Sequence, residues 1–238
     1  MIPKVTIIVP TYNEALNIPI LTWLIQKYLS KKDISFEIII VDDGSPDSTG
    51  DISRKLASDW PELCLTVISR PRKMGLGSAY MYGLKEAKGE FIILLDADLS
   101  HHPKYIPAFL EKQQETGCDI VTGTRYRHGG GVAGWSLGRK IVSRGANLAA
   151  SFLLGATTSD LTGAFRMYRR EVLEKLLTQT TSVGYAFQME IIVRAQYSKF
   201  KIQEVPIVFV DRLYGVSKLG PNEVYLFLKG LLRLFLTL

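Results

Sequence analysis

Residues 91–100 read FIILLDADLS, an uninterrupted apolar run followed by two aspartates with one alanine between them. An apolar run without alternation is typical of a strand buried on both faces, as in a parallel sheet. Ligands of such sheets bind outside the carboxyl ends of the strands. Asp96 and Asp98 therefore lie where a ligand is expected, and carboxylates there suit a divalent cation that bridges a diphosphate.

Three similar apolar runs precede this one, and predicted helices separate them. The expected strands are Val5–Val9, Glu37–Val41, Leu65–Ser69 and Phe91–Leu95, and the expected helices lie at about 16–30, 48–59 and 77–87. This alternation predicts an α/β fold with a mostly parallel central sheet and right-handed crossovers. A chain of 238 residues with 47% hydrophobic content is long enough for one such domain with a full core.

Acidic residues also follow the first and second strands. PTYNE at 10–14 ends in Glu14, and DDGS at 42–45 begins with two aspartates. Alternatives remain for each group, since Glu14 suits the first turn of a helix and the residues after Asp96 suit a turn leading to a helix at Pro103. The convergence of three acidic strand ends at one sheet edge nevertheless favours a nucleotide-diphosphate site.

Other nucleotide motifs do not fit the sequence. Gly75-Leu76-Gly77 follows the third strand rather than the first, and Tyr80 stands where a dinucleotide-binding motif requires a small residue. The sequence also lacks a GxxxxGK[ST] phosphate loop. His101 and His102 could ligate a metal, but a role at the start of the next helix is expected for at least one of them.

The formal charge of +6 is unevenly distributed. Residues 1–119 carry 13 basic and 16 acidic side chains, whereas residues 120–238 carry 16 and 7. Ten of the 13 arginines lie in the second half. Since arginine binds phosphate in a planar, bidentate manner, anionic partners are expected for that half.

The second half has a less regular pattern. A helix from Pro103 to about Thr116 precedes a strand at Asp119–Gly123, and a glycine-rich loop at 128–131 is expected to be a mobile lid. The remaining predictions are an amphipathic segment Trp135–Leu154, a strand at Phe165–Tyr168, helices near 170–178 and 185–198, a strand at Ile202–Val210 and an apolar tail Val224–Leu238.

The tail is too short to span a membrane, because its 15 residues would reach about 22 Å as a helix against the roughly 30 Å hydrocarbon core. Trp135–Leu154 and the tail both combine apolar residues with Lys or Arg. Each is therefore compatible either with contact to a membrane surface or with ordinary core packing.

Eight motifs, in order along the chain, are similar to those of dolichol-phosphate mannose synthases, a branch of the family-2 glycosyltransferases. They are PTYNE at 10–14, VDDGSPD at 41–47, DADLSHHP at 96–103, GTRY at 123–126, RKIVSRGAN at 139–147, SDLTGAFRMY at 159–168, GYAFQMEIIVRA at 184–195 and FVDRLYGVSKLG at 209–220. The resemblance implies a GT-A domain over residues 1–220. Within it, 1–119 would be the donor and metal half and 120–220 the acceptor half, and 221–238 would be an apolar helix that docks on a membrane surface or a partner.

The resemblance also implies an activity. It is the transfer of mannose, with inversion, from GDP-mannose to dolichyl phosphate, supplying N-glycosylation, O-mannosylation and GPI-anchor synthesis. The implied partners are a membrane surface and small membrane-anchoring regulatory subunits, without nucleic acid, and the implied location is the cytosolic face of the endoplasmic reticulum membrane. The alternatives are a dolichyl-phosphate glucosyltransferase that uses UDP-glucose and a non-catalytic subunit that binds a nucleotide sugar.

The family pattern carries over to individual positions of this sequence. The donor would be bound by Pro10, Tyr12, Glu14, Val41, Asp43, Asp96, Ala97, Asp98, Arg212 and Lys218, and the acceptor phosphate by Arg125, Arg139 and Ser143. The residues implied in catalysis are Asp96, Asp98, Arg125 and Arg139. Asp98 would hold Mg²⁺ or Mn²⁺, with Ser100 as a weaker second ligand where some relatives have Gln.

Overall fold

The computed structural model describes residues 3–182, 186–214 and 221–237, with side chains in the last range from residue 227 onward. The strands are β1 (Val5–Thr11), β2 (Phe36–Asp42), β3 (Leu65–Ser69), β4 (Phe91–Leu94), β5 (Ile120–Thr124), β6 (Gly131–Ala133), β7 (Arg166–Arg169), β8 (Ile202–Pro206) and β9 (Val208–Val210). The helices are α1 (Ile18–Ser30), α2 (Thr49–Asp59), α3 (Leu76–Glu86), α4 (Ile106–Thr116), α5 (Leu137–Leu153), α6 (Arg170–Gln179), α7 (Ala186–Tyr197) and α8 (Pro221–Thr237).

Seven strands form one sheet in the order β3-β2-β1-β4-β7-β5-β8. All neighbours in this sheet are parallel except β7, which runs antiparallel to both β4 and β5. The predicted α/β fold with a mostly parallel sheet is therefore confirmed. The carboxyl ends of β1, β2 and β4 lie at the same edge, which brings the acidic segments that follow these strands together.

The sheet is covered on both faces, as its continuous apolar strands require. Along β1, Val5, Ile7 and Val9 pack against the face that carries α1 and α4, whereas Ile8 packs against the face that carries α3, α6 and α7. The edge strand β3 differs from the prediction of a buried strand, because it has one neighbour and its side chains are half-buried or exposed.

The predicted single strand at Ile202–Val210 is divided into two. β8 ends at Pro206, whose ring removes the backbone N–H that a continuing ladder would use. After it, β9 pairs in parallel with β6 in a separate two-stranded sheet. Gly131, the last residue of the glycine-rich segment, belongs to β6, and its N–H donates to Ile207 O at 3.0 Å.

The amphipathic segment Trp135–Leu154 forms α5. Of its two alternatives, core packing is excluded for most of the helix. Its buried residues are Asn147 and Ala150, while Leu137 and Phe152 are 77% and 85% exposed. The tail forms α8, where Leu231 and Leu234 are buried and the residues of the other face are exposed. None of the helices in the described ranges is long and apolar enough to cross a membrane.

Close approach of α3 to the sheet depends on Gly83. A Cβ at this position would lie 2.6 Å from the Cγ2 methyl of Ile8, which is fully buried in β1. That methyl belongs to a β-branched side chain with little freedom to move. The helix can therefore pack at this distance only because residue 83 has no side chain.

We expect Gly83→Ala to destabilise the protein by about 1–3 kcal/mol, because overpacking outweighs the gain in helix propensity. The matched control is Gly145→Ala in α5, where a Cβ would meet nothing within 4 Å. That change should be neutral or stabilise by roughly 0.5–1 kcal/mol. Denaturant unfolding of both variants tests the packing, and equal effects would contradict it.

Candidate active site

A cavity of about 830 Å³ opens at the carboxyl edge of the sheet. It brings together most of the residues singled out in the sequence: Pro10, Tyr12, Glu14, Asp43, Asp96, Ala97, Asp98, Arg125, Arg139, Ser143 and Arg212. Its first wall comes from the loops after β1, β2 and β4. A second wall comes from α5 and from the loops around Arg125, Thr162 and Arg212.

Two predicted positions, Val41 and Ser100, are not part of this lining, and a third cannot be placed. Val41 is fully buried inside β2, so its side chain faces the core rather than a ligand. Ser100 is buried below the cavity; its N–H donates to Asp98 Oδ1 at 3.0 Å, and its carbonyl accepts from Val210 N at 3.1 Å. Lys218 lies outside the described residues.

Asp43, at the tip of β2, is paired with Arg70. This guanidinium is 1% exposed, and it also donates to Ser78 Oγ at 2.7 Å and to Gly75 O at 3.4 Å. The preceding Asp42 has a structural role, since it accepts hydrogen bonds from Thr11 and Ser45 within the turn. Asp43 is therefore the carboxylate presented to the cavity, in a direction fixed by Arg70.

Tyr12 and Lys73 form a second contact on this wall. The Lys73 ammonium lies 3.7 Å from the centre of the Tyr12 ring, and both side chains line the cavity. An aromatic face next to a cation suits a planar base and the anionic groups attached to it. The sequence analysis missed Arg70 and Lys73, although both follow β3 and hence lie at the same sheet edge as the acidic loops.

The two aspartates after β4 line the cavity side by side. Asp98 Oδ2 lies 3.2 Å from Arg212 Nη2, and Asp96 Oδ2 lies 3.7 Å from His101 Nδ1. The described residues contain no group of three or more potential metal ligands. Two carboxylates do fit Mg²⁺ or Mn²⁺ in another way, because such ions are commonly held by one or two carboxylates together with substrate phosphates and water.

His101 is buried between the aspartates and an aromatic cluster. Its ring lies 5.1 Å from that of Phe209 and 5.6 Å from that of Phe165, and neither ring nitrogen has a hydrogen-bond partner among the described residues. Burial lowers the pKa of His101 to about 4, so the ring is neutral at pH 7. His102 has the expected role at the start of a helix, since its Nδ1 accepts from Lys104 N at 3.1 Å.

Arg125 is held by a buried ion pair with Asp160. Its Nε and Nη2 donate to the two Asp160 oxygens at 2.7 Å each, and Nη2 also donates to Thr162 Oγ1 at 2.6 Å. Burial alone would raise the pKa of Asp160, but the charge and hydrogen bonds of Arg125 lower it below the ordinary value. The guanidinium is thus a fixed positive charge on the cavity wall. The sequence analysis quoted Asp160 only as part of a motif.

Arg139 lies on the first turns of α5. Ser136 caps this helix through a hydrogen bond from Arg139 N, and the guanidinium lies 4.0 Å from the centre of the Trp135 ring. Its Nη1 is 3.6 Å from Asp211 Oδ1. Near it, Ser143 Oγ is hydrogen-bonded to the Tyr126 hydroxyl at 2.8 Å. The acceptor wall therefore carries arginines and hydroxyl groups, a combination that suits a phosphate group.

Comparison with known proteins identifies the family of the chain. Residues 6–177 match the model of the family described as Glycosyl transferase family 2. The polyprenol monophosphomannose synthase of Mycolicibacterium smegmatis is 38% identical over 226 residues, covering 93% of this chain and 83% of the relative. The dolichol-phosphate mannosyltransferase of Pyrococcus furiosus is 37% identical over 97% of this chain, which spans 63% of that relative's length.

Solved structures show the same fold at lower identity. A mannosyltransferase from Pyrobaculum calidifontis, solved with GDP-Man and Mn²⁺, matches with a TM-score of 0.65 at 21% identity, over 100% of this chain and 71% of that one. Glucosyl-3-phosphoglycerate synthase from Mycobacterium tuberculosis, solved with Mn²⁺, UDP and glucosyl-3-phosphoglycerate, matches with a TM-score of 0.68 at 20% identity, over 98% and 80% of the two chains. The sheet order, the strand-end carboxylates and the family match lead to one conclusion: the chain has a GT-A fold and belongs to glycosyl transferase family 2.

Proposed function

We propose that this chain transfers mannose from GDP-mannose to a polyprenyl phosphate such as dolichyl phosphate, with inversion, giving a polyprenyl mannosyl phosphate and GDP. The observation that carries the proposal is the division of one cavity into a wall of carboxylates and a wall of arginines. The names of the two relatives, both of which describe the mannosylation of a lipid phosphate, support it.

The carboxylate wall is the proposed donor site. Asp43 and Tyr12 suit the nucleoside, since one offers acceptor oxygens and the other an aromatic face. Asp98, with Asp96, would hold a divalent cation, and that ion supplies electrostatic stabilisation of the charge on the departing diphosphate. Arg212, 3.2 Å from Asp98, lies at the boundary where it can contact the same diphosphate.

The arginine wall is the proposed acceptor site. A phosphate monoester has a second pKa of about 6, so the nucleophilic oxygen is already anionic at neutral pH. The protein therefore needs no general base, and neutral His101 is not required to accept a proton. Its task is to hold two anions that repel each other close together. Arg139 and Ser143 would bind the acceptor phosphate, with Arg125 as a fixed charge behind them.

A lipid acceptor requires a surface that meets the membrane, and α5 offers one. Arg139, Ser143 and Ala146 face the cavity. The opposite side of the helix carries a stripe of exposed apolar residues, namely Leu137, Ile141, Leu148 and Phe152. Lys140 and exposed Arg144 flank this stripe, as in helices that lie in the interface of an anionic bilayer.

The outer face of α8 has the same character. Leu228, Leu232, Phe235 and Leu236 are more than half exposed, and exposed Lys229 and Arg233 lie between them. This face would lie on the membrane or against a small anchoring subunit. Neither relative's name refers to a cellular location, so the endoplasmic reticulum stays a prediction of the resemblance, as do the processes that the product supplies.

A donor panel tests the proposed function directly. The purified chain is assayed with a polyprenyl phosphate and either GDP-mannose or UDP-glucose, with Mg²⁺ or Mn²⁺ present. We expect transfer from GDP-mannose. Transfer from UDP-glucose alone would identify the glucosyltransferase alternative, and binding of a nucleotide sugar without turnover would identify a non-catalytic subunit.

We expect Asp98→Ala to reduce kcat by at least about 100-fold, because the cation and the diphosphate lose a charged anchor. The control is Asp59→Asn, which changes an exposed carboxylate at the end of α2. It should leave both kinetic constants unchanged. Metal-dependent turnover by the Asp98 variant at the wild-type rate would contradict the assignment.

We expect Ile141→Asp together with Phe152→Asp to reduce binding to anionic phospholipid vesicles, because the apolar stripe of α5 is interrupted by charge. Flotation measures the bound fraction. Trp60→Asp is the control, since this ring is 45% exposed and directly follows α2 rather than belonging to α5. Equal binding by all variants would exclude α5 as the membrane contact.

A further inference from the structure

The segment that follows β9 carries two opposite charges, Asp211 and Arg212; Arg212 lines the cavity, and Asp211 lies next to Arg139, which also lines it. Asp211 N donates to Ala133 O at 3.2 Å, which extends the pairing of β9 with β6, and Val210 N donates to Ser100 O at 3.1 Å. Gly134 has a φ of +85°, and a Cβ there would lie 2.9 Å from Asp211 Cβ. The backbone of residues 210–211 is therefore fixed by contacts on both sides.

From this fixed position, the side chain of Asp211 lies next to that of Arg139. The two side chains are 46% and 37% exposed, and their closest charged atoms are 3.6 Å apart. An ion pair that is this open to water adds little to stability. The pair of Asp211 and Arg139 therefore contributes little to the stability of the fold. The proposed function assigns the same arginine to the acceptor phosphate.

Arg139 has a second contact, with Trp135, that can hold its guanidinium in place independently of Asp211. Its guanidinium is 4.0 Å from the centre of the Trp135 ring, whose own position is fixed by an edge contact with Phe209 at 5.4 Å. Stacking fixes the plane of a guanidinium but leaves its edge nitrogens available to an anion. Trp135 can thus orient Arg139 whether the anion beside it is a carboxylate or a phosphate.

We propose that Asp211 is an exchange partner of Arg139: it neutralises this arginine when the acceptor site is empty and gives it up to the acceptor phosphate. The inference rests on the proposed function and adds a residue to it. Asp211 acts through Arg139 and does not contact the reacting atoms, so it is a positioning residue. It competes with the phosphate, which makes binding weaker than Arg139 alone would allow.

The phosphate loses negative charge during the reaction, so Asp211 competes less well with the substrate than with the product. A phosphate monoester carries a charge of about −1.5 to −2 at pH 7. In the transfer, an oxygen of this phosphate bonds to the anomeric carbon of mannose, and GDP leaves with the electrons of the broken bond. The product is a phosphodiester, which carries a single negative charge. The incoming acceptor therefore outcompetes the Asp211 carboxylate more readily than the product does. Asp211 recovers Arg139 after transfer and so favours release of the product.

The direction in which KM for the acceptor changes in an Asp211 variant tests this role. Asp211→Asn is assayed with GDP-mannose and a short-chain polyprenyl phosphate in detergent. We expect KM for the acceptor to fall by about 2- to 5-fold, the range that corresponds to a partly exposed ion pair. Inhibition by added product should strengthen by a similar factor, and kcat should not rise. If Asp211 only supported the fold or the orientation of Arg139, KM would rise instead.

A double-mutant cycle tests whether the effect passes through Arg139. Arg139→Ala alone should raise KM for the acceptor while the Kd for GDP-mannose is unchanged. Adding Asp211→Asn to that variant should then have no further effect. A fall in KM of the same size with and without Arg139 would overturn the proposal, because it would show a general effect of charge. Asp59→Asn, which changes the net charge equally at a distant site, should leave KM unchanged.

The failure of the inference is separable from the failure of the proposed function. If the wild-type chain transfers no sugar to the lipid phosphate, the proposed function is wrong. If the wild-type chain is active and Asp211→Asn raises KM or leaves it unchanged, only the exchange role is wrong.

Discussion

Charge compensation at the carboxyl edge of the sheet is the constraint on which the site depends. The parallel strands bring Asp43 and Asp98 to the wall of one cavity, and Asp160 is fully buried next to Arg125, which lines the same cavity. Burial makes uncompensated carboxylates costly. Each of the three is paired with an arginine: Arg70, Arg212 and Arg125, respectively. The arginines compensate the charge of these carboxylates and fix their directions. For Asp43 and Asp98, a fixed direction is what binding of a ribose or a cation would require.

This arrangement also explains the uneven charge of the chain. The first half supplies the strand-end carboxylates, and the second half supplies Arg125, Arg139 and Arg212, which line the same cavity. Three of the ten arginines after residue 120 thus serve two purposes in the proposed reaction. They balance the acidic wall and provide a positive wall for a second anion. Arg70, from the first half, is the exception, because it neutralises a carboxylate within the donor wall itself.

Much of the fold and the donor wall could be predicted from the sequence because the information is local. A continuous apolar run predicts a buried strand, and the residues directly after it predict the ligand edge, as with β4 and Asp96. The arginine partners could not be predicted in this way. Arg125 and Asp160 are 35 positions apart, and no local pattern specifies that they pair. The exposure of β3 and the division of the predicted strand into β8 and β9 depend on which neighbours each segment meets. That information is absent from a single strand's sequence.

The order of strands has a consequence for how such a protein can diversify. β3, β2, β1 and β4 come from one continuous stretch of chain and form one side of the sheet, whereas β7, β5 and β8 come from the rest and form the other side. Mutations that remodel the region after residue 124 leave the register of the first four strands untouched. A lineage can therefore acquire a new acceptor while inheriting the strand-end part of its nucleotide site, and Arg212 is the described donor residue that such remodelling would also affect.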